Sequence, residues 1–292
     1  MKSVRKPIGV RWTIGDVSQE GFEALRLSVW GARRVFGGEA DYVICVNSVP
    51  LEDAQQNAGD IPREVGWLAV TEADAPAFVR EHVDQEMAEG VAWKFAPLRL
   101  FPDRHELALD NDCILWELPA SMGEWLAGRQ SCIIAEDVNA CFGQYAGVCG
   151  PEPRNSGIRG LPPGFDLARA LDAMFRKFPV KLQSELDEQG LQVAAVSLES
   201  DPLTVSTEDV SICSPFHLPY LGRCGAHFVG LNARNLPWTY EGRGASEWTR
   251  EHWRRFEPTV SRMITGRDAP RLEIEADLDV MAGPPLKSTQ VL

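Results

Sequence analysis

Short apolar runs alternate with segments of helical periodicity over the first two-thirds of the chain, and this alternation limits the possible folds more than any other feature. An apolar run over 7–15 is followed by Ser18, a residue type that caps helices, and then by apolar residues at helical spacing up to Gly37 and Gly38. Four more strands are expected over 41–46, 65–70, 106–109 and 131–135, and two more helices over 74–87 and 119–127. Strands separated by helices predict an α/β fold with a mostly parallel sheet flanked by helices.

The remaining third of the chain is expected to complete the same domain. A helix is predicted over 165–178, and a second helix is predicted after a cap at Ser246, with a kink at Pro258. Residues 1–265 are therefore interpreted as a single domain. The composition of residues 266–292 favours a lightly packed, partly flexible C-terminal extension.

The chain has 292 residues and a formal net charge of −13, from 29 basic and 42 acidic side chains. A uniformly acidic protein repels phosphate backbones, so we expect no nucleic-acid partner. No apolar stretch approaches the ~18 to 20 residues of a membrane span, and the N-terminal residues lack the apolar segment of a signal peptide. A soluble, cytoplasmic protein without a transmembrane segment is expected. The 7 cysteines include no CxxC pair, which predicts buried thiols and neither disulfides nor zinc ligands.

Two aspartates follow the fourth expected strand, in the segment ELALDNDCIL (106–115). In open α/β sheets ligands bind beyond the carboxyl ends of the strands, which directs attention to Asp110 and Asp112. Carboxylates this close repel each other, and a hard divalent cation with oxygen ligands relieves the repulsion. A diphosphate would complete the coordination shell of such a cation.

The same segment has two other interpretations. Asp and Asn favour turns, so the segment is equally typical of a turn without a ligand. In phosphatases of the haloacid-dehalogenase type, the first Asp of such a pair is a nucleophile. Cys113 and Ile114 stand where that family has Thr or Val and then a Gly-rich turn, which lowers the phosphatase alternative.

Four regions resemble, in their order and approximate spacing, the glycosyltransferases of GT-A fold and specifically family 8. They are AWKFAPLRLFP (92–102), LALDNDCIL (107–115), RNSGIRGL with LDEQGLQVAAV (154–161 and 186–196), and GAHFVGLNARNLPW (225–238). The resemblance implies a Rossmann-like GT-A domain that binds a nucleotide-diphosphate sugar, a UDP-sugar first of all, with Mn²⁺ or Mg²⁺ as cofactor. It also implies transfer of the sugar to an acceptor of unspecified identity, with retention of anomeric configuration.

The resemblance further implies roles for individual residues. The metal ligands would be Asp110, Asp112 and His227, and Lys94 would face the departing diphosphate. The other donor-binding residues implied by the motifs are Arg99, Asn111, Ser156, Gly157, Gly230 and Arg234. The residues near the reacting sugar would be Asn155, Asp187, Glu188 and Gln189. The order of a doubly wound sheet adds Trp12 and Thr13, at the end of the first strand, as the site of the base and ribose.

The match is imperfect in the last region. Three additional residues separate Gly230 from Pro237, and Leu236 stands where the family has a diphosphate-binding lysine, which leaves Arg234 as the available cation. Arg154 also replaces an aromatic residue in the third region. These departures support an alternative function, a catalytically silent protein of the same fold that binds a ligand or partner without turnover.

Several of the predicted site residues also have a purely structural interpretation. A lone histidine in an apolar run, such as His227, is more often a structural residue than a ligand. Lys94 and Arg99 would then be surface cations, and Asn155 a helix cap or a turn residue. Residues 187–189 would belong to the end of a helix that stops at Gly190.

Overall fold

The computed structural model describes residues 7–83, 91–128, 130–214, 219–232 and 239–266. The strands are β1 (Ile8–Ile14), β2 (Ala40–Val46), β3 (Gly66–Ala69), β4 (His105–Leu109), β5 (Cys113–Leu115), β6 (Ile133–Glu136), β7 (Arg154–Leu161), β8 (Leu203–Val205), β9 (Val210–Ile212), β10 (Gly225–His227), β11 (Thr239–Tyr240) and β12 (Arg243–Gly244). The helices are α1 (Gln19–Phe36), α2 (Leu51–Ala58), α3 (Ala77–Arg80), α4 (Ala120–Ala127), α5 (Leu167–Lys177), α6 (Glu185–Val196) and α7 (Ala245–Thr265).

Seven strands form a central sheet in the order β3-β2-β1-β4-β7-β6-β8. Every neighbouring pair is parallel except the two pairs that β7 forms. A smaller sheet, β5-β10-β9, continues from the end of β4. The structure thus confirms the expected α/β architecture with a mostly parallel sheet, and it places β4 at the centre of that sheet.

Helices cover both faces of the central sheet, and the side chains of β1 alternate between these two faces. Its apolar residues, such as Val10 and Trp12, join the core formed with α1, α2 and α4. The residues between them face the other way, towards the layer that contains α5 and α6. Gly9 is required on that second face, because a Cβ there would lie 2.0 Å from the Phe101 ring.

The predicted bounds hold to within two residues for β1 to β4, β6, α4 and α5, and α1 begins after the Ser18 cap as expected. In the described part of the range 74–87, the expected helix is present only as the short helix α3, and residues 84–90 lie outside the described ranges. α2 lies in the connection between β2 and β3, over which no helix was predicted, and Pro50 and two acidic residues of the first turn favour its start. α7 is capped by Gly244, with Ser246 buried inside the helix.

Three other expectations can be compared with the described chain. Among its helices, none combines the length and the apolar composition that a bilayer span requires. All seven cysteines are free, and six of them are buried, as the sequence predicts. Of the expected C-terminal extension, residues 267–292 lie outside the described ranges.

Candidate metal and donor site

A tight turn between β4 and β5 presents two carboxylates at the carboxyl edge of the sheet. The backbone N–H of Asp110 donates to the carbonyl of Gly157 (2.9 Å), and that of Cys113 donates to the carbonyl of Asp110 (3.0 Å). The side chain of Asp110 is 22% exposed and that of Asp112 is 2% exposed. The segment between β4 and β5 is therefore a turn, and this turn orients the carboxylates of Asp110 and Asp112 towards the edge of the sheet.

β10 brings His227 to the two aspartates. It pairs antiparallel with β5, so that His227 lies opposite Cys113, and the N–H of Phe228 donates to the carbonyl of Asp112 (2.9 Å). His227 Nε2 lies 3.2 Å from Asp112 Oδ1 and 3.7 Å from Asp110 Oδ2. Side chains from two distant segments thus meet at one point.

The close approach of His227 depends on the glycine at position 157 of β7. A Cβ on Gly157 would lie 2.2 Å from His227 Cε1 and 2.6 Å from Nδ1. The space that glycine leaves is filled by the imidazole. Gly157 therefore shapes the site through the position of His227.

The three side chains fit a divalent metal ion. One ligand atom of each of Asp110, Asp112 and His227 lies within 4.8 Å of the other two. An imidazole beside two carboxylates suits Mn²⁺ better than Ca²⁺. Asp112 Oδ1 is buried and accepts no well-aligned hydrogen bond from the described residues, although His227 Nε2 lies 3.2 Å from it. Burial alone would lower the pKa of His227, but the two carboxylates raise it, which shows that this point favours positive charge.

Lys94 belongs to a 3₁₀ turn over Val91–Phe95 and connects the aspartate turn to α6. Its Nζ lies 2.7 Å from Asp110 Oδ1, 3.4 Å from Glu188 Oε2 and 3.4 Å from Ser156 Oγ. Burial alone would lower the pKa of Lys94, but Asp110 and Glu188 raise it, so the ammonium is charged at neutral pH. Because the side chain is 28% exposed, a ligand in the site can reach it.

Glu188 is the residue of the predicted acidic motif that faces Lys94. Its side chain is buried, and burial raises its pKa to about 7. Its Oε1 has no hydrogen-bond partner among the described residues. Glu188 therefore has an uncommitted carboxyl oxygen at the edge of the site.

The two neighbours of Glu188 hold loops in place. Asp187 accepts hydrogen bonds from the backbone N–H groups of Gln144 and Gln183, both at 2.8 Å. Gln189 donates to the carbonyl of Cys141 (2.8 Å) and accepts from the N–H of Ser156 (3.3 Å).

These contacts place the motif at the start of a helix. Ser184 caps α6, and Gly190 lies inside it, so the alternative of a helix that ends at Gly190 is wrong. Gly190 is instead needed for close packing, because a Cβ there would lie 2.2 Å from the carbonyl oxygen of Phe142.

Asn155 lies in a strand, which corrects both its helix-cap and its turn interpretation. Its amide donates to Asp137 Oδ2 (2.9 Å), and its Oδ1 accepts from the N–H of Gly157 (2.7 Å). The pairing of β6 with β7 shifts its register beside this residue. Asn155 therefore positions the irregular stretch of β7 that carries Ser156 and Gly157.

Two residues predicted to bind the donor have structural roles in the fold. Trp12 is fully buried, and its indole N–H donates to Ser28 Oγ (2.9 Å), so its side chain lies in the core under α1. Arg99 donates to the carbonyl of Phe165 (2.8 Å), and its Nε lies 3.6 Å from Glu106. Neither side chain faces the metal site, because the strand alternation directs Trp12 to the opposite face and backbone carbonyls occupy Arg99.

Asn111 also points away from the carboxylates that flank it. Its amide donates to the carbonyl of Gly21 (3.0 Å) and to Asn232 Oδ1, which ties the turn to α1 and to the segment after β10. Gly230 lies in that segment with a φ of +82°, a conformation that favours glycine. Arg234 lies outside the described residues.

Sequence reasoning missed a buried polar set beside the site. A cavity next to Lys94 is lined by Thr13 and also by Arg11, Arg159 and Gln192. A signal was available for Arg11, which lies inside the first predicted strand, but not for Arg159, over whose segment no strand was predicted. A basic residue inside a predicted strand of a sheet covered on both faces is unusual and marks a possible site.

No protein-family model matches the chain, and no curated protein matches it. Among solved structures, the bifunctional glycosyltransferase WbbM is 13% identical over 90% of this chain, with a TM-score of 0.51. The match covers 52% of WbbM, so this chain spans about half the length of that protein. The galactosyltransferase LgtC, solved with donor and acceptor sugar analogues, is 13% identical over 90% of this chain and 98% of its own, with a TM-score of 0.48. The likeness to WbbM shows a shared fold and nothing finer.

Proposed function

We propose that this protein is a metal-dependent glycosyltransferase that moves a sugar from a nucleotide-diphosphate sugar, first of all a UDP-sugar, to an acceptor. The observation that best supports the proposal is the convergence of Asp110, Asp112, His227 and Lys94 at one edge of the sheet. The four come from three separate regions, and they are the residues to which the resemblance assigns the metal and the departing diphosphate. A turn without a ligand would need neither a histidine nor a lysine from a distant segment.

Asp110, Asp112 and His227 would hold Mn²⁺ or Mg²⁺. A bound divalent cation neutralises the donor diphosphate and stabilises the negative charge that it gains as it departs. Lys94 supplies a second positive charge beside Asp110, in a position fixed by two carboxylates. Such a preorganised cation is most effective where the leaving group develops its charge.

The remaining contacts follow from the elements around the metal site. Thr13 and the residues up to Asp16 would contact the base and ribose, because they extend β1 beyond the carboxyl edge next to β4. Ser156 and Gly157 would line the sugar site, and Gly230 and Arg234 would contribute from the segment after β10.

Retention of configuration rests on the resemblance. Four residues are predicted near the reacting sugar, and among them Glu188 has a carboxyl oxygen, Oε1, that makes no hydrogen bond with the described residues. We therefore propose that Glu188 contacts the sugar or the acceptor. Asn155, Asp187 and Gln189 would act by holding the strand and loops of the sugar site in position.

Nucleotide binding tests the proposal. Thermal unfolding would be followed with UDP, GDP, CDP, ADP and dTDP, each with Mn²⁺ and with EDTA. A ligand at about 100 times its Kd stabilises a protein by about 2.7 kcal/mol, and each kcal/mol raises Tm by roughly 2 to 4 °C at this chain length. We expect a shift for UDP that requires Mn²⁺.

Two variants make the test specific. Asp112→Asn should abolish the manganese-dependent shift, and Asp53→Asn, on the exposed face of α2, should keep it. The absence of a shift with every nucleotide would contradict a donor site. Nucleotide binding without release of UDP from any UDP-sugar would favour the catalytically silent alternative.

A further inference from the structure

Asp110, one of the proposed metal ligands, already pairs with a cation of the protein itself. Lys94 Nζ lies 2.7 Å from Asp110 Oδ1, the length of a charge-assisted hydrogen bond, whereas His227 Nε2 lies 3.7 Å from Asp110 Oδ2. The second aspartate differs, because Asp112 Oδ1 lies 3.2 Å from His227 Nε2. A metal ion held at this turn would therefore share the carboxylate of Asp110 with the ammonium group of Lys94.

The ammonium group of Lys94 is surrounded by acceptors that belong to the protein. An ammonium group has three N–H donors. The nitrogen of Lys94 lies near three side-chain oxygens, which are Asp110 Oδ1 (2.7 Å), Glu188 Oε2 (3.4 Å) and Ser156 Oγ (3.4 Å). The contact with Asp110 is the shortest of the three. A phosphate oxygen that accepts a hydrogen bond from Lys94 therefore replaces one of these acceptors.

Lys94 and a metal ion compete for Asp110. Both are cations, and two cations on one carboxylate repel each other. Solvent screens this repulsion only in part, because the side chains of Lys94 and Asp110 are 28% and 22% exposed, and those of Asp112 and His227 are 2% and 5% exposed. The charge of Lys94 therefore lowers the affinity of the site for a metal ion alone, whatever the total charge of the surrounding groups.

A diphosphate removes this competition. Its oxygens can coordinate a metal ion and accept hydrogen bonds from an ammonium group, and its negative charge offsets the repulsion between the two cations. Lys94 can then exchange Asp110 for the diphosphate, while Glu188 and Ser156 keep the ammonium group beside the site. A single phosphate group has fewer oxygens and less charge for these two tasks.

We infer that the site binds the metal ion and the diphosphate as a pair, and that Lys94 imposes this pairing. In the free protein, Lys94 neutralises Asp110 and opposes a metal ion that arrives without a diphosphate. In the complex, the same ammonium group binds the diphosphate. The inference rests on the proposed function and refines it, because the recognised ligand is then the metal–diphosphate unit. The charge of Lys94 thus weakens the binding of the metal alone and strengthens the binding of the nucleotide.

Binding of Mn²⁺, measured by electron paramagnetic resonance without nucleotide, with UMP and with UDP, tests the inference. After correction for Mn²⁺ held by free nucleotide, the natural protein should bind Mn²⁺ roughly 10-fold or more tightly with UDP and gain much less from UMP. Lys94→Met should raise the affinity for Mn²⁺ without nucleotide roughly 10-fold, the effect that one neighbouring charge has on an ionisation equilibrium. The same variant should lose most of the gain from UDP.

Further variants separate the charge of Lys94 from its bulk. Lys94→Arg keeps the charge and should keep the weak binding of Mn²⁺ alone, and Lys177→Met, the same exchange at the exposed end of α5, should match the natural protein throughout. Lys94→Gln repeats the test should Lys94→Met not fold. An unchanged or weaker affinity for Mn²⁺ alone in Lys94→Met, or equal gains from UMP and UDP, would overturn the inference and leave the proposed function intact. Failure of the natural protein to bind Mn²⁺ with UDP would overturn both.

Discussion

The two faces of β1 are both buried, yet they contribute in opposite ways. On one face Val10 and Trp12 pack into the core under α1 and favour folding through the removal of apolar surface from water. On the other face Arg11 and Thr13 line a cavity beside the candidate metal site. Burial of Arg11 costs free energy unless a partner offsets it. One strand therefore carries an apolar side that stabilises the fold and a polar side whose buried arginine is held by Pro97 and Glu106 beside the candidate site.

The largest effect is expected on the apolar face. Trp12→Ala removes a fully buried indole and leaves Ser28 without its hydrogen-bond donor, so we expect the free energy of unfolding to fall by about 3 to 5 kcal/mol. Denaturant unfolding measures this directly. Trp30→Ala, a partly exposed tryptophan of α1, is the control and should cost less. Equal losses of unfolding free energy in the two variants would show that the buried indole of Trp12 contributes no more to stability than the partly exposed indole of Trp30.

Gly157→Ala addresses the edge of the sheet beside the candidate metal site. The added Cβ would collide with His227, so we expect a loss of about 1 to 3 kcal/mol in unfolding free energy together with a large loss of Mn²⁺ affinity. Gly147→Ala, where a Cβ would meet no atom within 4 Å, should change neither quantity. Unaltered Mn²⁺ affinity in Gly157→Ala would contradict the role of His227.

Glu188→Gln, in the helix that covers the polar face of β1, is tested through the pH dependence of the unfolding free energy. Burial raises the pKa of Glu188 from 4.5 to about 7, in surroundings that include Lys94, Asp110 and Arg159. A raised folded-state pKa contributes stability that is complete below pH 4.5 and is lost as pH rises through 7. Glutamine mimics the protonated form at every pH. Between pH 5 and pH 8, in EDTA, the variant should therefore gain about 1 to 3 kcal/mol relative to the natural protein.

The control for that experiment is Glu152→Gln, at an exposed position. Its unfolding free energy should follow the natural protein across the same pH range. A parallel pH dependence for Glu188→Gln and the natural protein would show that Glu188 ionises normally in the folded state.

The smallest change is expected for Arg159→Met. Replacement of a buried, incompletely paired cation by an apolar side chain of similar length is often neutral or stabilising, so the ligand-free variant should unfold within about 1 kcal/mol of the natural protein, or somewhat later. Urea unfolding measures the difference. A loss as large as that expected for Trp12→Ala would show that the arginines belong to the structural core, and the contrast between the faces of β1 would fail.

Most of the fold was predictable from the sequence because the central strands and helices have strong periodicity. The strands over β1 to β4 and the cap at Ser18 follow from local patterns alone. β7 was harder, because its segment contains Asn155, Ser156 and two glycines, which suggest a turn. Its strand conformation depends on pairing with β4 and β6, which no local pattern records.

The residues of the candidate site were predictable where they belong to a recognisable motif. They were not predictable where the orientation of a side chain on a strand determines its surroundings. Asp110, Asp112, His227 and Lys94 meet as the resemblance implies. Trp12 packs into the core, on the opposite face of β1 from Thr13, because side chains alternate along a strand. Asp187 and Gln189 lie within the expected motif, but their backbone partners could be identified only from the structure.

Manganese binding tests the central claim most directly. Electron paramagnetic resonance would measure free Mn²⁺ as the protein is titrated in the presence of UDP. We expect the natural protein and Asp53→Asn to bind a single Mn²⁺ with the same affinity, and Asp112→Asn and His227→Ala to lose that binding. Retention of Mn²⁺ binding by both site variants would contradict the account, because the convergence of the two aspartates and the histidine would then have no role in holding a metal.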